Sequence, residues 1–386
     1  MNATHHSPAL PAVVMSPPTG LPPGAAPSSL RRVGAGWWSI VVLALLLLVL
    51  PAGLDAFRLG LLAKYLCFAF AAVGIVLVWG YGGILSLGQG MFFGLGSYSV
   101  AMFLKLEAAA IAGSGSALSQ FYGSDLPDFM VWNSIEALPW WWVPFRHLGV
   151  ALAMVVVLPA LVAFGLAYAN FRKRVGGVYF SIVTLALAAI MAIVIIGQQG
   201  YTGGINGLTD FRTFAGLPLD GDAPRRVLYY LTVALLLASL LVGRWIIGSR
   251  LGKVLVAIRD REDRVRFSGY DPALFKAFIF AVAAVITAIG GALYALQEGL
   301  ASPSLMGIVP SVEMVIYAAV GGRLSVIGAV YGTLLVLMAR TFFSENFVEY
   351  WLYFIGALFI GVVMFLPKGL AGVTERIGQV WPRRKS

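Results

Sequence analysis

The sequence predicts an all-α polytopic membrane protein with about ten transmembrane helices. Of its 386 residues, 60% are hydrophobic and only 11% are charged, whereas soluble domains are about 45–50% apolar. The mean hydropathy is +0.87. A helix that crosses a bilayer needs about 20 apolar residues, and windows of that kind fall at 37–55, 61–79, 82–104, 148–170, 177–197, 227–247, 273–296, 310–322, 326–343 and 351–366.

The distribution of charge predicts how these windows are oriented. Ten alternating spans place the basic segments on one side of the membrane, namely 31–32, 172–174, 250–266, Arg323 and 368–385. Because cytoplasmic loops carry the excess of Lys and Arg, we expect both termini in the cytoplasm and the segment 106–147 outside. The same rule explains the net charge of +10 without nucleic acid as a partner.

The composition divides the chain into three parts. Residues 1–36 are rich in Pro and Ala and carry too few apolar residues to bury a core, so we expect a disordered cytoplasmic tail. A transmembrane domain follows at 37–370. Residues 371–386 form a basic cytoplasmic tail.

The sequence lacks the components of a catalytic or metal site. It has three His and one Cys, and no G-x-S-x-G, H-E-x-x-H or C-x-x-C motif. The nearest match to a nucleotide-binding loop, 248–254, is one residue short and has Val where Ser or Thr would hold Mg²⁺. We therefore expect no enzyme, no cofactor and no metal.

A charged segment at 248–272 predicts a docking surface for a soluble partner. Ten of the 24 residues in 249–272 are charged. Acid-before-base pairs at i,i+4, Asp260 with Arg264 and Glu262 with Arg266, favour a helix, which Gly269 would end and Pro272 would keep from continuing. An apolar face formed by Leu251, Val254, Leu255 and Ile258 argues against the alternative, a plain solvated loop. The candidate docking residues are Arg259, Asp260, Glu262, Arg264, Arg266 and Gly269.

Small and polar residues within the apolar windows are candidates for a translocation pathway. Gly82, Ser86, Gly90 and Gly94 recur every four residues, a spacing that favours either close helix packing or exposed backbone along a polar route. Gln89 could bind a solute or a neighbouring helix. A glycine-rich loop at 200–207 is either a turn or a segment that folds back towards the route. With Glu313, which faces a polar cavity or only snorkels, the candidates are Ser86, Gln89, Gly90, Gly94, Asn206 and Glu313.

Five stretches together resemble LivM-like permeases, the membrane subunits of branched-chain amino acid type ABC importers. They are 80–98, 177–182, 204–209, 250–272 and 365–370, and the resemblance spans roughly 60–372. It implies a fold like that of vitamin B12 type importers and a position in a bacterial inner membrane. It also implies four kinds of partner: membrane lipid, a second permease, two cytoplasmic ABC ATPase subunits on the charged segment, and a periplasmic substrate-binding protein.

Within that family the chain is most similar to the urea permease branch, at 126–131, 138–141, 257–272 and 311–316. This similarity implies import of urea or a short-chain amide, with import of branched-chain amino acids as the alternative. No paired charges that would suit an amino acid are evident from the sequence. A second alternative is an ion-driven secondary transporter, for which the spans offer few ionisable residues, chiefly Lys64 and Glu313.

Overall fold

The computed structural model describes residues 40–113, 126–211, 213–219 and 221–347, with scattered residues between 349 and 372. The described chain is mostly helical, and the predicted tail 1–36 and nearly all of the tail 371–386 lie outside it. The helices are α1 Ile40–Val49, α2 Ala56–Ile75, α3 Gln89–Gly113, α4 Asp128–Trp132, α5 Leu148–Arg172, α6 Val178–Gly197, α7 Gln199–Thr202, α8 Asp222–Gly248, α9 Arg250–Phe267, α10 Pro272–Glu298, α11 Ile308–Gly321 and α12 Val326–Asn346.

Shorter elements complete the described chain. A π-helical turn, Val76–Tyr81, prolongs α2, and 3₁₀ turns lie at Leu50–Ala52, Val143–Arg146, Gly204–Asn206 and Pro303–Met306. Four two-residue strands form two antiparallel pairs. Strand β1 (Leu208–Thr209) pairs with β4 (Leu300–Ala301), and β2 (Thr213–Phe214) pairs with β3 (Leu217–Pro218).

Six helices in the described residues are long and apolar enough to cross a membrane: α2 with its π-helical turn, α5, α6, α8, α10 and α12. The first helix, α1, and α11 are shorter and also apolar. The window 351–366 contains only scattered described residues. The polytopic helical architecture is therefore confirmed, and the number of ten spans stays a prediction.

The centre of the bundle is formed by α2 and α10, which are almost entirely buried. Small residues let them approach closely: a Cβ at Gly74 would lie 2.8 Å from the carbonyl oxygen of Ala283, and one at Gly290 would lie 2.5 Å from that of Cys67. Such close backbone contact is what drives helices together in lipid. The remaining helices pack around this pair.

Two of the predicted basic segments, 250–266 and Arg323, lie at the same end of the bundle, whereas 31–32 and nearly all of 368–385 lie outside the described residues. Tyr81 donates a hydrogen bond to the carbonyl oxygen of Leu324 (2.8 Å), and Arg259 donates one to that of Gly80 (2.6 Å). We call this the inner end. At the opposite, outer end, Glu107 accepts a hydrogen bond from the backbone of Gly216 (2.6 Å). The segment predicted as an outer loop, 106–147, begins with eight helical residues, because α3 continues to Gly113.

Two helices begin inside the bundle rather than at an end. After α2 reaches the inner end, residues 82–88 turn back without helical structure, and α3 starts at the fully buried Gln89. In the opposite direction, residues 299–307 re-enter from the outer end before α11 runs to the inner end. The two starts meet where the Gly90 amide donates to Ser311 Oγ (3.1 Å). The units α2–α3 and α10–α11 thus have the same plan in opposite orientations.

The predicted window 82–104 is helical only from Gln89 onward. Irregular backbone at membrane depth is tolerated where protein surrounds it, and here side chains of α6 satisfy it. Ser181 Oγ donates to the carbonyl oxygen of Leu85 (2.7 Å), and Thr184 Oγ1 accepts from the Leu87 amide (3.2 Å). These local hydrogen bonds replace helical ones.

Candidate functional site

Five buried polar side chains surround the point where α3 and α11 begin. We call this set, Ser86, Gln89, Thr184, Thr287 and Ser311, the polar centre; none of its members is more than 2% exposed. Thr287 Oγ1 donates to Gln89 Oε1 (3.2 Å). Within the described part of the chain, the Gln89 amide nitrogen Nε2 has no hydrogen-bond partner. An unmatched buried donor is costly, and this amide therefore has unused hydrogen-bonding capacity.

The small-residue stripe lies against the re-entrant segment at Pro303–Met306. A Cβ at Gly90 would lie 2.5 Å from Ser311 Oγ, and one at Gly94 would lie 2.1 Å from Met306 Cγ. In this conformation Gly90 and Gly94 serve close packing. The predicted pathway role of Gly90 and Gly94 stays a prediction, because it requires this segment to move.

The structure does not bring Asn206 to the polar centre. Asn206 lies exposed at the outer end, in a loop where Gly203 and Gly207 have positive φ angles of 78° and 71°. A Cβ at Gly207 would lie 2.1 Å from the carbonyl oxygen of Ala301. The glycine-rich loop therefore packs on the strand that leads into the re-entrant segment.

Glu313 is also separate from the polar centre and belongs to an ion pair. Its Oε2 accepts from Arg340 (2.8 Å) and from the hydroxyl of Tyr317 (3.1 Å). A second pair joins Lys64 Nζ to Glu298 Oε2 (3.0 Å). These two pairs correct the expectation that no paired charges are present. The sequence did not reveal them, because the members of each pair come from different helices.

The charged segment 248–272 forms α9, which is broken once. Ser249 caps it by accepting from the Gly252 amide, Gly269 follows its end with a φ of 85°, and Pro272 opens α10. Leu255 and Ile258 are buried, so the predicted apolar face packs on the bundle. At Arg261 the backbone is extended (φ −151°, ψ 80°), and α9 is therefore two short helices.

The break changes the predicted charge pairs. The Glu262–Arg266 pair forms at 3.1 Å, and Glu262 also pairs with Lys276 of α10. Asp260 pairs with Arg259 at 3.0 Å instead of with Arg264, because Arg261 interrupts the helix between them. Among the predicted docking residues, Arg259, Glu262 and Arg266 thus brace α9. The exposed ones are Asp260, Arg264, Gly269 and also Arg259.

Two aromatic residues join the exposed charges of α9 at the inner end. Phe267 is 92% exposed and Tyr270 is 50% exposed. We call the exposed set Asp260, Arg261, Asp263, Arg264, Phe267 and Tyr270 the coupling face. The sequence analysis missed both aromatics; large apolar side chains inside a charged segment are the signal that would have revealed them.

A cleft of about 440 Å³ lies beside the coupling face. It is lined by Trp79, Gly80, Gly83, Arg259, Asp260, Arg323 and Leu324. The cleft therefore connects α9 with the end of α2 and with the turn between α11 and α12. No group of three His, Cys, Asp or Glu side chains in the described ranges could hold a metal ion.

Comparisons with known proteins identify the family. A family model described as "Branched-chain amino acid transport system / permease component" matches residues 57–363. The chain is 24% identical over 325 residues to the high-affinity branched-chain amino acid transport system permease protein LivM of Escherichia coli, a match covering 78% of this chain and 67% of LivM. LivM of Salmonella typhimurium matches to the same extent.

A third relative is the permease protein BraD of a high-affinity branched-chain amino acid transport system in Pseudomonas aeruginosa. It is 23% identical over 318 residues, which are 80% of this chain and 92% of BraD. No solved structure matches the chain. The family model covers well over half of the sequence, and the chain therefore belongs to the family of permease components of branched-chain amino acid transport systems.

Proposed function

We propose that this chain is a non-catalytic permease subunit of an ATP-driven importer in a bacterial inner membrane. It forms the translocation pathway with a second permease, in a fold like that of vitamin B12 type importers. Two cytoplasmic ATPases bind the coupling segments of the two permeases, here the coupling face, and a periplasmic binding protein delivers the solute. Both termini then lie in the cytoplasm. Family membership supports this proposal.

The observation that carries it is the exposure of Phe267, which is 92% accessible to solvent. Exposed apolar side chains that form a patch mark interaction sites, and Phe267 lies three residues from Tyr270, which is 50% exposed. Aromatic anchors surrounded by charged groups contribute most of the binding energy in such interfaces. Asp263 and Arg264 flank this anchor and would set its register against the ATPase.

The bracing of α9 provides a route for force from the ATPase. Arg259 reaches the carbonyl oxygen of Gly80 (2.6 Å), and a Cβ at Gly83 would lie 2.7 Å from Arg259 Cγ. A displacement of α9 therefore moves residues 80–83 with it. Those residues lead directly into Gln89, at the polar centre.

The best-supported solute is an amino acid with a branched aliphatic side chain. The relatives are branched-chain amino acid permeases, and the pairs at Lys64 and Glu313 supply charges that suit a zwitterion. Urea or a short-chain amide is the second candidate, because the polar centre is uncharged and Gln89 Nε2 lacks an acceptor. The similarity to the urea branch favours it too. An ion-driven mechanism finds no support among the relatives.

Phe267→Asp tests the proposal in cells that express the complete importer. We expect normal membrane abundance, but less ATPase in the purified complex and an uptake reduced by about tenfold or more, as for loss of an interface hot spot. Lys253→Asp, exposed on α9 outside the coupling face, is the control and should bind ATPase normally. Normal ATPase binding by the Phe267 variant would refute the docking role. Radiolabelled leucine and urea, measured in parallel, identify the solute.

A further inference from the structure

The two ion pairs lie at membrane depth. Arg340 stands about 21 Å along α12 from its inner end, and Lys64 stands about 25 Å along α2 from Tyr81, at the rise of an α-helix. A bilayer core is about 30 Å thick. Both distances are shorter than the core thickness and correspond to about two-thirds of each helix, counted from its inner end.

These charges face outward from the chain's own core. The side chains of Lys64, Glu298, Glu313 and Arg340 are between 28% and 38% exposed. Charges that face lipid at this depth are expensive, and they normally face a water-filled cavity or a protein partner. The surface between α2, α10, α11 and α12 is therefore built for contact with something polar.

An aromatic cluster connects the two pairs. The ring of Phe68 lies 5.5 Å from that of Tyr294 and 6.3 Å from that of Tyr317. The Lys64 ammonium lies 5.7 Å from the centre of the Tyr294 ring, and the Tyr317 hydroxyl binds Glu313. We call the set Lys64, Phe68, Tyr294, Glu298, Glu313, Tyr317 and Arg340 the ion-pair crevice. It has one charged pair at each end, and between them the half-buried Phe68 ring lies against the buried rings of Tyr294 and Tyr317.

We propose that the ion-pair crevice binds the zwitterionic head of an α-amino acid during transport. The proposal rests on the proposed function and assigns the solute's contacts. The solute's carboxylate would bind the Arg340 guanidinium, which suits carboxylates, and its ammonium would bind the Glu313 carboxylate. Its aliphatic side chain would lie on Phe68. The outer pair of Lys64 and Glu298 would receive the same head group first.

The pairing of Glu313 with Arg340 explains why the charges of this site are stable in the membrane when no solute is bound. Glu313 and Arg340 neutralise each other at 2.8 Å, so the empty crevice presents no isolated charge to the membrane. When a zwitterion binds, the pair of Glu313 and Arg340 separates, and each of the two side chains pairs with the opposite charge of the solute. The original pair re-forms after the solute leaves. A neutral solute such as urea gains nothing from this exchange, because it has no charges to offer.

Charge removal and charge exchange test the assignment in vesicles that contain the complete importer. Glu313→Gln and Arg340→Gln should each lower leucine uptake by about tenfold, as for loss of a charged group that binds a ligand of opposite charge, while ATPase co-purification stays normal. The exchange of Glu313→Arg with Arg340→Glu restores a pair but reverses it. It should restore abundance and leave uptake low. Arg58→Gln, at an exposed pair with Asp55, is the control and should transport normally.

The outcomes separate the two proposals. If wild-type vesicles take up urea and no leucine, the amino acid assignment is wrong and the crevice proposal fails with it. If wild-type vesicles take up leucine and both Gln variants do so equally well, only the crevice proposal fails. Full leucine uptake by the exchanged pair would show that the pair is merely structural.

Protection from labelling tests binding itself, and it keeps the proposal open to refutation if the charge variants do not assemble. Ile316 is partly exposed one turn from Glu313, and Cys67 is buried and can be replaced by Ala. In that background, leucine should slow the alkylation of Ile316→Cys and urea should not. Equal rates with and without leucine would overturn the proposal.

Discussion

At the scale of single residues, the fit of α3 against α10 depends on Gly96. A Cβ at this position would lie 1.9 Å from the carbonyl oxygen of Ala288, a backbone atom that cannot move without its helix. We expect Gly96→Ala to lower the free energy of unfolding by about 1–3 kcal/mol, the usual cost of overpacking. Thermal unfolding in detergent micelles measures this loss.

The matched control is Gly165→Ala in α5, where no atom lies within 4 Å of the added Cβ. Because Ala favours a helix over Gly, this variant should unfold at the same temperature as the wild type or slightly higher. A Gly96 variant as stable as this control would show that α3 and α10 can separate without cost.

Residue-level features of the candidate site were only partly predictable. Glu313 could be recognised from its sequence alone, because an acid within an apolar window is unusual. Its partner Arg340 could not, since it lies 27 residues away on another helix. Sequence periodicity reports one helix at a time, and pairing between helices depends on packing that it does not contain.

At the scale of elements, the bond from Arg259 to Gly80 should couple α9 to the membrane helices. Arg259→Met keeps the aliphatic stem and removes the hydrogen bond to the carbonyl oxygen, worth about 1.5 kcal/mol at the low end for a charged donor. We expect ATPase binding to persist, because Arg259 lies outside the coupling face, while uptake per ATP hydrolysed falls. The ratio of solute uptake to phosphate release in vesicles measures this.

Lys253→Met, another exposed cation on α9, is the control and should keep the wild-type ratio. If Arg259→Met also keeps that ratio, force must reach the membrane helices by another contact. Lys276, which pairs with Glu262, would then be the next candidate.

Element boundaries followed from the sequence where helices are apolar throughout and failed where they are interrupted. The window 148–170 corresponds to α5 at Leu148–Arg172, and 177–197 to α6 at Val178–Gly197. The turn at 82–88 is as apolar as a helix, because most of its residues are buried or half-buried, so hydropathy cannot distinguish it. The break at Arg261 is equally invisible in the sequence, because charged residues continue on both sides of it.

At the scale of the whole molecule, the charge pattern predicts which end of the bundle faces the cytoplasm. Cysteine substitutions at Lys253, at the inner end, and Ala137, at the outer end, are both exposed. An impermeant thiol reagent added to intact cells, with the outer membrane permeabilised, should label Ala137→Cys and leave Lys253→Cys unlabelled. The native Cys67 is buried and adds no background.

Membrane disruption provides the control, because Lys253→Cys should then react at the rate of Ala137→Cys. Labelling of Lys253→Cys in intact cells would reverse the orientation. It would also remove the coupling face from the compartment that contains ATP.

The meeting of α3 and α11 at Gly90 and Ser311 has an electrostatic consequence for the cell. Each helix start carries roughly half a positive charge from its aligned peptide dipoles, and two such starts face each other inside the bundle. Positive helix ends of this kind repel protons and metal cations from a pore. A solute pathway through this region would therefore leak few protons, and an importer could remain open to solute without dissipating the proton gradient that drives ATP synthesis.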